Sequence, residues 1–383
     1  MRKVKMILLG LDFGSPNLGC SALAHSFVYI LQQICESEKI CMDLVSINYH
    51  PYNFADNNIN IRNLNISLKK LSFHIAVLNE MKTADFVFDF TGGDSFTDLY
   101  GLGRFIKESY FKQLAIQMNK KFIMGPQTIG PFNTWLGRSW AKRILKHSYM
   151  VFTRDNLSYE YVVKKMGCKP ELTTDIAFFL PCAENQIAEQ FDQPRIGINV
   201  SGLMWNGGYK KNNDFGLVLN YQAYCKSLIE YCLTENLEVH LIAHVIPDEE
   251  KSLENDYTIN QLLAKQYKNI IVAPRFDNPM QAKAYMAKMD FFVGSRMHAT
   301  IGAFSMGVPT VSVAYSRKFM GLYRSIKYPY VIDAKEKKCD EAFELTTKWL
   351  LEREEIKAHV SESLVYVEKR KKVFLDKLKR LIL

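Results

Sequence analysis

Arg296 and His298 are the side chains whose types and spacing most clearly suggest chemistry. They follow a short apolar run, 290–293, that ends in Gly-Ser, and a helical pattern begins directly after them. They are therefore predicted to lie where a strand ends and a helix begins, a corner at which open α/β sheets bind anionic ligands. A guanidinium fork beside an imidazole suits a carboxylate or a phosphate. The same pattern also fits an arginine that pairs locally and a histidine that is buried in the core.

A second polar set follows the strand predicted at 84–90. The paired glycines Gly92 and Gly93 would let a ligand approach the backbone. Asp94 and Asp98 supply carboxylates that could accept hydrogen bonds from sugar hydroxyls or act as a base. Either carboxylate could instead cap the next helix.

Two further predicted strands end in candidate binding residues. The strand at 121–124 runs into a Gly-Pro-Gln-Thr-Ile-Gly-Pro segment that holds Gln127 in a rigid loop. The strand at 150–153 leads to Arg154, for which a simple ion pair with Asp155 or another carboxylate is the alternative. The polar, asparagine-rich segment 49–65 is predicted to be a loop.

Strands and helices alternate in both halves of the chain, which predicts an α/β fold of two Rossmann-like, doubly wound domains that face each other across a cleft. We place the domains at 1–185 and 186–338, followed by a helical segment at 339–383. In the second half, His244 follows a strand and Lys318 lies in a loop after a strand.

Composition limits the function classes. The 383 residues are 48% hydrophobic and carry a net charge of +9, which fits an acidic small substrate, a membrane surface or nucleic acid. The eight cysteines form no C-x-x-C pair, so neither a zinc knuckle nor a disulfide framework is expected, and a reducing cytoplasm fits. No G-x-G-x-x-G fingerprint supports a nicotinamide or flavin cofactor, and no metal cluster stands out, so no obligatory metal is expected.

The C-terminal segment leaves two interpretations open. No apolar run has the roughly 18 residues of a spanning helix, so a soluble or peripheral protein is expected. The stretch 369–380 is strongly basic with interleaved apolar residues, which could lie on an anionic membrane surface or pack its apolar stripe on the core. Nucleic-acid binding is not expected, because no recognised module accompanies the basic tail.

The motifs taken together resemble those of the polysaccharide pyruvyltransferase family over about 14–318, most of the chain. Two positions depart from the family's usual pattern: Cys20 stands where an acidic residue is common, and Asp94 where a third glycine is common. The resemblance rests on the segments 92–98, 125–131 and 154–158, on Asp175, on His244 with Asp248, on 296–298 and on 315–318.

The resemblance implies a fold similar to the GT-B glycosyltransferases. It implies phosphoenolpyruvate as co-substrate, with no other cofactor, and a saccharide acceptor, either lipid-linked or polymeric, in the synthesis of a surface glycan such as a capsular polysaccharide. The product would be a cyclic pyruvate ketal, with phosphate released. The first domain would hold the acceptor and the second domain phosphoenolpyruvate, in the cytoplasm or at the inner face of the membrane.

The resemblance also implies residue roles. Arg296 and His298 would be the main donor contacts, with Met297 between them and Arg154 and Lys318 as further ones. A general acid near neutral pKa is needed to protonate the enol carbon, so His298 is assigned that role, or that of a phosphate ligand only. Asp94 or Asp98 would take the acceptor's proton. The remaining expected substrate-binding residues are Gly92, Gly93, Gln127 and His244.

Two rival functions are retained. A nucleotide-sugar-dependent glycosyltransferase of similar two-domain fold would hold a base and ribose in the donor pocket. A non-catalytic glycan- or membrane-binding protein with a decayed site is disfavoured, because the glycine, arginine and histidine motifs are all present.

Overall fold

The structure, a computed structural model, describes residues 2–50, 59–182 and 193–383. It divides into two compact units. The first unit comprises Met1–Ser15, Leu23–Leu180 and Glu368–Leu383, and the second comprises Pro16–Ala22 and Pro181–Val367.

The first unit is built on a parallel sheet with the strand order β3-β2-β1-β4-β5-β6-β7. Its strands are β1 Lys3–Leu9, β2 Cys41–Asn48, β3 Ile59–Asn65, β4 Phe86–Asp89, β5 Lys121–Gln127, β6 Met150–Thr153 and β7 Glu171–Leu172. Its helical elements are α1 Leu18–Glu38, α2 Leu71–Thr83, α3 Leu102–Gln117, α4 Trp135–His147, α5 Asn156–Tyr161, the 3₁₀ turns Thr91–Gly93 and Ile176–Phe179, and the π turn Val162–Met166. The central strands are nearly continuous apolar runs because helices cover both faces.

The prediction of a loop at 49–65 is wrong for residues 59–65, which form strand β3. Residues 51–58 lie outside the described residues. Residues 59–65 pair in parallel with β2 at the edge of the sheet. Ile59 and Ile61 are buried, while Arg62 on the other face is exposed and pairs with carboxylates. The alternation of apolar and polar residues is that of an edge strand, and its asparagines mask the pattern.

The second unit has its own parallel sheet, in the order β10-β9-β8-β11-β12-β13. Its strands are β8 Arg195–Asn199, β9 Glu238–Leu241, β10 Ile270–Val272, β11 Phe291–Gly294, β12 Thr310–Ala314 and β13 Val331–Asp333. Its helices are α6 Gly202–Trp205, α7 Tyr221–Thr234, α8 Asp256–Gln266, α9 Pro279–Met286, α10 Met297–Phe304, α11 Arg317–Ser325, α12 Cys339–Leu351 and α13 Arg353–Ile382, the last of which ends in the first unit. The two sheets confirm the predicted pair of Rossmann-like domains.

In each sheet the strand order reverses at a switch point, between β1 and β4 in the first unit and between β8 and β11 in the second. Residues that follow these strands lie at the carboxyl edge of the sheet, where doubly wound folds bind ligands. The predicted site residues are therefore expected at these two edges.

Helix α13 packs its apolar stripe on the core, which was the second of the two interpretations of the C-terminal segment. Phe374, Leu378 and Ile382 are at most 1% exposed. Lys377 forms an ion pair of 2.6 Å with Glu171 of β7. Lys377 thus serves a contact within the first unit.

Among the described residues, α1 is the one helix long and apolar enough to cross a membrane by length and composition. Of its most apolar window, 78% is buried inside the protein. This is how a core helix of a doubly wound fold packs.

Candidate functional site

In the second unit, Arg296 stands at the predicted corner between β11 and α10. It is the N-cap residue of α10, and its backbone N–H donates to Asn199 Oδ1 at 2.9 Å. The Asn199 side chain also donates to the Ile242 carbonyl at 2.9 Å. Asn199, at the end of β8, therefore ties together the chain segments that leave β8, β9 and β11.

The Arg296 guanidinium is buried against Asp256. Nη2 donates to Asp256 Oδ1 at 2.8 Å and to the Glu254 carbonyl at 2.9 Å, and Nε donates to Asp256 Oδ1 at 3.2 Å. Burial acts to lower the pKa of Arg296, but the Asp256 charge and hydrogen bonds outweigh it and raise the pKa. Nη1 makes no hydrogen bond within the described part of the chain. Nε and Nη2 are thus bonded to the protein itself, and Nη1 remains for a ligand.

Asp256 is a hub that sequence analysis missed. Besides Arg296, its carboxylate accepts hydrogen bonds from the N–H groups of Gly202 at 2.8 Å, Val245 at 3.0 Å and His244 at 3.2 Å. The only local signal is its place after Asn255, the N-cap residue of α8, and a helix start does not reveal long-range partners.

His298 lies in the first turn of α10 and is half-buried. A Cβ atom added at Gly19 would lie 2.9 Å from the Cβ of His298, so the Gly19 backbone packs directly on this side chain. The Gly19 N–H donates to Asn17 Oδ1 at 3.0 Å, and the Leu18 N–H donates to the His244 carbonyl at 3.0 Å. This early segment of the chain, which belongs to the second unit, therefore contributes to the surroundings of both histidines.

His244 is buried and neutral. It is 2% exposed, and its Nδ1 has no hydrogen-bond partner within residues 2–50, 59–182 and 193–383. Burial, followed by the nearby charges of His298 and Arg296, lowers the pKa of His244 to about 3. It can offer a ligand an uncharged imidazole rather than a cation.

Lys318 and Met297 occupy the first turns of α11 and α10. The Lys318 Nζ lies 5.5 Å from the ring centroid of Tyr315, which directs the ammonium group over the aromatic face. The Met297 side chain is buried, so its contact with a ligand would be through the backbone N–H at the helix start.

In the first unit, Arg154 follows β6 and is fully buried. Its Nη1 donates to Asp175 Oδ2 at 2.6 Å, and its Nε donates to Thr128 Oγ1 at 2.9 Å. Nη2 is buried and has no hydrogen bond to any described residue. A Cβ atom at Gly93, where φ is +86°, would lie 3.0 Å from Nη1. The second glycine of the pair therefore gives room to Arg154, and the paired carboxylate is the distant Asp175.

Gly92 also has a positive φ of 59°, and nothing lies near the Cβ position it would carry. Gln127, at the end of β5, donates from Nε2 to the Asp89 carbonyl at 2.9 Å. Asp89 in turn forms a buried ion pair of 2.8 Å with Lys112 of α3. Gln127 thus belongs to a buried polar network whose charged members sequence analysis missed.

Asp98 anchors the start of α4. Its carboxylate accepts hydrogen bonds from the Asn133 N–H at 2.8 Å, the Thr134 N–H at 2.7 Å and the Thr134 hydroxyl at 2.6 Å. Burial acts to raise the pKa of Asp98, but these hydrogen bonds outweigh it and bring the pKa below its ordinary value. A carboxylate with so many donors is a weak base.

Asp94 is half-buried. It accepts hydrogen bonds from the Ser95 hydroxyl at 3.4 Å and the Tyr100 hydroxyl at 3.3 Å. Sequence analysis missed a carboxylate–imidazole pair in the same unit, Asp12 with His50, whose Oδ2 and Nδ1 atoms are 2.6 Å apart. Burial raises the pKa of Asp12 despite the opposing effect of His50.

The predicted site residues thus form two groups, one in each unit. In the second unit, Arg296 and His244 hydrogen-bond to Asp256, Met297 and His298 lie in the first turn of α10, and Lys318 lies in the first turn of α11. The first unit holds Gly92, Gly93, Gln127, Arg154, Asp94 and Asp98, of which Gly93 and Arg154 are in contact and Asp98 serves α4.

Comparison with solved structures defines the fold class. The chain is similar to sucrose-phosphate synthase from Thermosynechococcus elongatus (TM-score 0.59, 10% identity, 100% of this chain and 98% of that chain). It is similar to UDP-GlcNAc 2-epimerase from Neisseria meningitidis (TM-score 0.59, 11% identity, 99% and 100%) and to WaaG, a glycosyltransferase involved in lipopolysaccharide biosynthesis (TM-score 0.54, 13% identity, 99% and 99%). At these identities the likeness shows the fold alone, which is that of the GT-B glycosyltransferases.

The family is narrower than the fold. A model of the polysaccharide pyruvyl transferase family matches residues 17–317. The chain therefore belongs to that family. No curated protein sequence matches it.

Proposed function

We propose that the protein transfers the pyruvyl group of phosphoenolpyruvate to a pair of hydroxyls on a saccharide, with no further cofactor. The observation that carries this proposal is the corner of the second unit where Arg296 and His298 stand together at the start of α10. Phosphoenolpyruvate has a carboxylate and a phosphate. Nη1 of Arg296, the first N–H groups of α10 and the Lys318 ammonium are the donors it requires.

The chemistry follows from these groups. The imidazolium of His298 gives a proton to the enol methylene carbon, which becomes a methyl group, and C2 becomes electrophilic. One saccharide hydroxyl adds to C2, and a second displaces phosphate, so two C–O bonds form and the bond from C2 to the phosphate oxygen breaks. Of the two hydroxyl protons released, Asp94 takes one and passes it to solvent, and the other leaves with phosphate, while solvent returns a proton to His298. The neutral His244, buried beside His298, accepts or donates a hydrogen bond without adding charge.

The acceptor side belongs to the first unit in this proposal. Asp94 is the better of the two predicted bases, because the hydrogen bonds of Asp98 hold its pKa low and occupy both of its oxygens. Arg154 is fully buried and paired with Asp175, so in this proposal it acts by holding Thr128 and the Gly93 turn in place beside Asp94. Gly92 and Gly93 keep the backbone beside Asp94 free of side chains, and Gln127 fixes the end of β5.

We place the reaction in the cytoplasm, at the inner face of the membrane, with a lipid-linked saccharide intermediate of a surface glycan as acceptor. The competing function is transfer from a nucleotide sugar. The neighbour from Neisseria meningitidis was solved bound to UDP-GlcNAc, which makes a nucleotide sugar the natural competitor to test.

Thermal stabilisation of the protein should distinguish the donors. Phosphoenolpyruvate should raise the melting temperature, whereas UDP, GDP and CMP sugars should leave it unchanged. Stabilisation by a nucleotide sugar alone would replace this proposal with the competing one. Mass spectrometry of lipid-linked saccharides incubated with phosphoenolpyruvate should show added pyruvate less water.

Substitution of His298 tests its role as the general acid. His298→Ala should lower turnover by about 10²–10⁴, the usual contribution of a general acid, while phosphoenolpyruvate still stabilises the protein. His147→Ala, on an exposed helix end of the first unit, is the matched control and should behave as the wild type. A loss of donor binding in His298→Ala would make His298 a phosphate ligand rather than the acid.

A further inference from the structure

Helix α4 of the first unit exposes large apolar side chains that its packing does not use. Trp135 is 80% exposed and Leu136 is 43% exposed. The face that packs on the core consists of Ala141, Ile144 and Leu145. Exposed apolar patches of this kind mark interaction sites more often than fold requirements.

A second chain segment adds to the same surface. Asp98 joins the start of α4 to the end of the glycine-bearing loop through its hydrogen bonds with the N–H groups of Asn133 and Thr134. The two residues after Asp98, Leu99 and Tyr100, are 52% and 47% exposed. We call Leu99, Tyr100, Trp135 and Leu136 the Trp135 patch. The hydrogen bonds from Asn133 and Thr134 to Asp98 therefore connect the two halves of the patch.

The rest of α4 is positively charged. Between 135 and 147 the sequence has no aspartate or glutamate. Its four cations Arg138, Lys142, Arg143 and Lys146 are exposed, and none of them pairs with a carboxylate in the described part of the chain. Helix α13 differs, because Lys371, Lys377 and Lys379 pair with glutamates.

We propose that α4 docks the protein on the surface of an anionic lipid bilayer. Trp135 and Leu136 enter the headgroup region, and the four cations of the helix contact lipid phosphates. Charge complementarity favours this partner, because an uncompensated basic helix next to exposed tryptophan and leucine is the pattern of interfacial helices. The inference does not depend on the reaction that the protein catalyses.

A single-stranded nucleic acid is the competing partner for a basic and aromatic surface. Nucleic-acid grooves offer aromatic rings on which bases stack. Here half of the Trp135 patch is leucine, which gives no stacking surface but enters lipid readily. The observations therefore favour the bilayer, and oligonucleotide binding is an outcome of the test.

Sedimentation with vesicles tests the proposal. The full chain should sediment with vesicles of equal parts phosphatidylcholine and phosphatidylglycerol, and not with phosphatidylcholine alone, and added salt should weaken the binding. Trp135→Ala with Leu136→Ala should weaken binding about tenfold or more. Lys142→Glu with Arg143→Glu should do the same, because each basic residue near an anionic surface strengthens binding about fivefold.

Matched variants guard against effects on folding and on overall charge. Leu71→Ala removes a leucine of α2 that is 74% exposed, and Lys372→Glu with Arg380→Glu reverses two exposed charges on α13. Both controls should bind vesicles as the wild type does. Trp135→Phe should also bind, but brominated lipids should no longer quench the emission that Trp135 contributes.

Three results would overturn the proposal. The first is that the wild type fails to sediment with anionic vesicles at low salt. The second is that the α13 variant loses binding while the α4 variants keep it. The third is that the protein binds a single-stranded oligonucleotide through α4 and does not bind the vesicles.

Discussion

Arg296 shows that one side chain can serve the fold and a ligand at once. Its position at the end of β11 is predictable from the apolar run and the helical pattern around it. Its partner Asp256 is not, because the contact joins residues distant in the sequence and depends on the order of strands in the sheet. Within the described part of the chain, Nε and Nη2 of Arg296 pair with Asp256, forty positions away, and Nη1 makes no hydrogen bond.

This division predicts different effects for two substitutions. Arg296→Ala leaves the Asp256 carboxylate buried without its cation and should lower the free energy of unfolding by about 3 kcal/mol or more. Arg296→Lys keeps the charge but loses the fork, so it should fold better than the alanine variant and still bind phosphoenolpyruvate about tenfold more weakly. Denaturant unfolding and donor titration measure the two effects.

The control is Arg275→Lys, which alters an arginine whose side chain is 45% exposed and paired loosely with Asp248. It should change neither quantity. An unfolding free energy of Arg296→Ala equal to that of the wild type would contradict the structural role of the pair.

At the scale of elements, buried strands are the predictable part. The apolar runs of β4, β5, β6 and β11 identify them without help from the fold. The edge strand β3 is not predicted from the sequence, because its outward face is polar and resembles a loop. The start of α1 is a different case: it falls inside the predicted first domain, 1–185, whereas Pro16–Ala22 pack in the second unit.

We therefore expect Gly19 to affect the position of His298, which lies in the other half of the sequence. Gly19→Ala places a methyl group against the His298 side chain, which must shift. We expect turnover to fall at least about tenfold. Gly103→Ala, at a glycine with open space around it, is the matched control and should keep full activity. Wild-type turnover in Gly19→Ala would show that the position of His298 is not critical.

At the scale of the molecule, the doubly wound architecture follows from the alternation of strands and helices. The protonation states of the histidines do not follow from the sequence, because they depend on burial in the folded protein. Burial lowers the pKa of His244 to about 3 and the pKa of His25 to about 4. Each histidine stays neutral in the folded protein at pH values where the unfolded chain is protonated.

Stability should consequently fall in mild acid. As the pH drops below 6.5 the unfolded state binds protons that the folded state does not, so at pH 5 each histidine costs about 2 kcal/mol relative to neutral pH. Thermal melts from pH 7.5 to 4.5 should show this slope, and His244→Gln with His25→Gln should flatten it. His147→Gln should keep the wild-type slope, and an equally steep slope in the double variant would refute the assignment.

The exchange of segments between the units has a consequence for biosynthesis. The first unit requires Glu368–Leu383, where Phe374 packs its ring on Phe152 of β6 at 5.1 Å, so it is incomplete until the ribosome has made the whole second unit. Neither unit is encoded by one uninterrupted stretch of the gene. A premature stop codon near position 368 would therefore harm the half of the protein that is translated first.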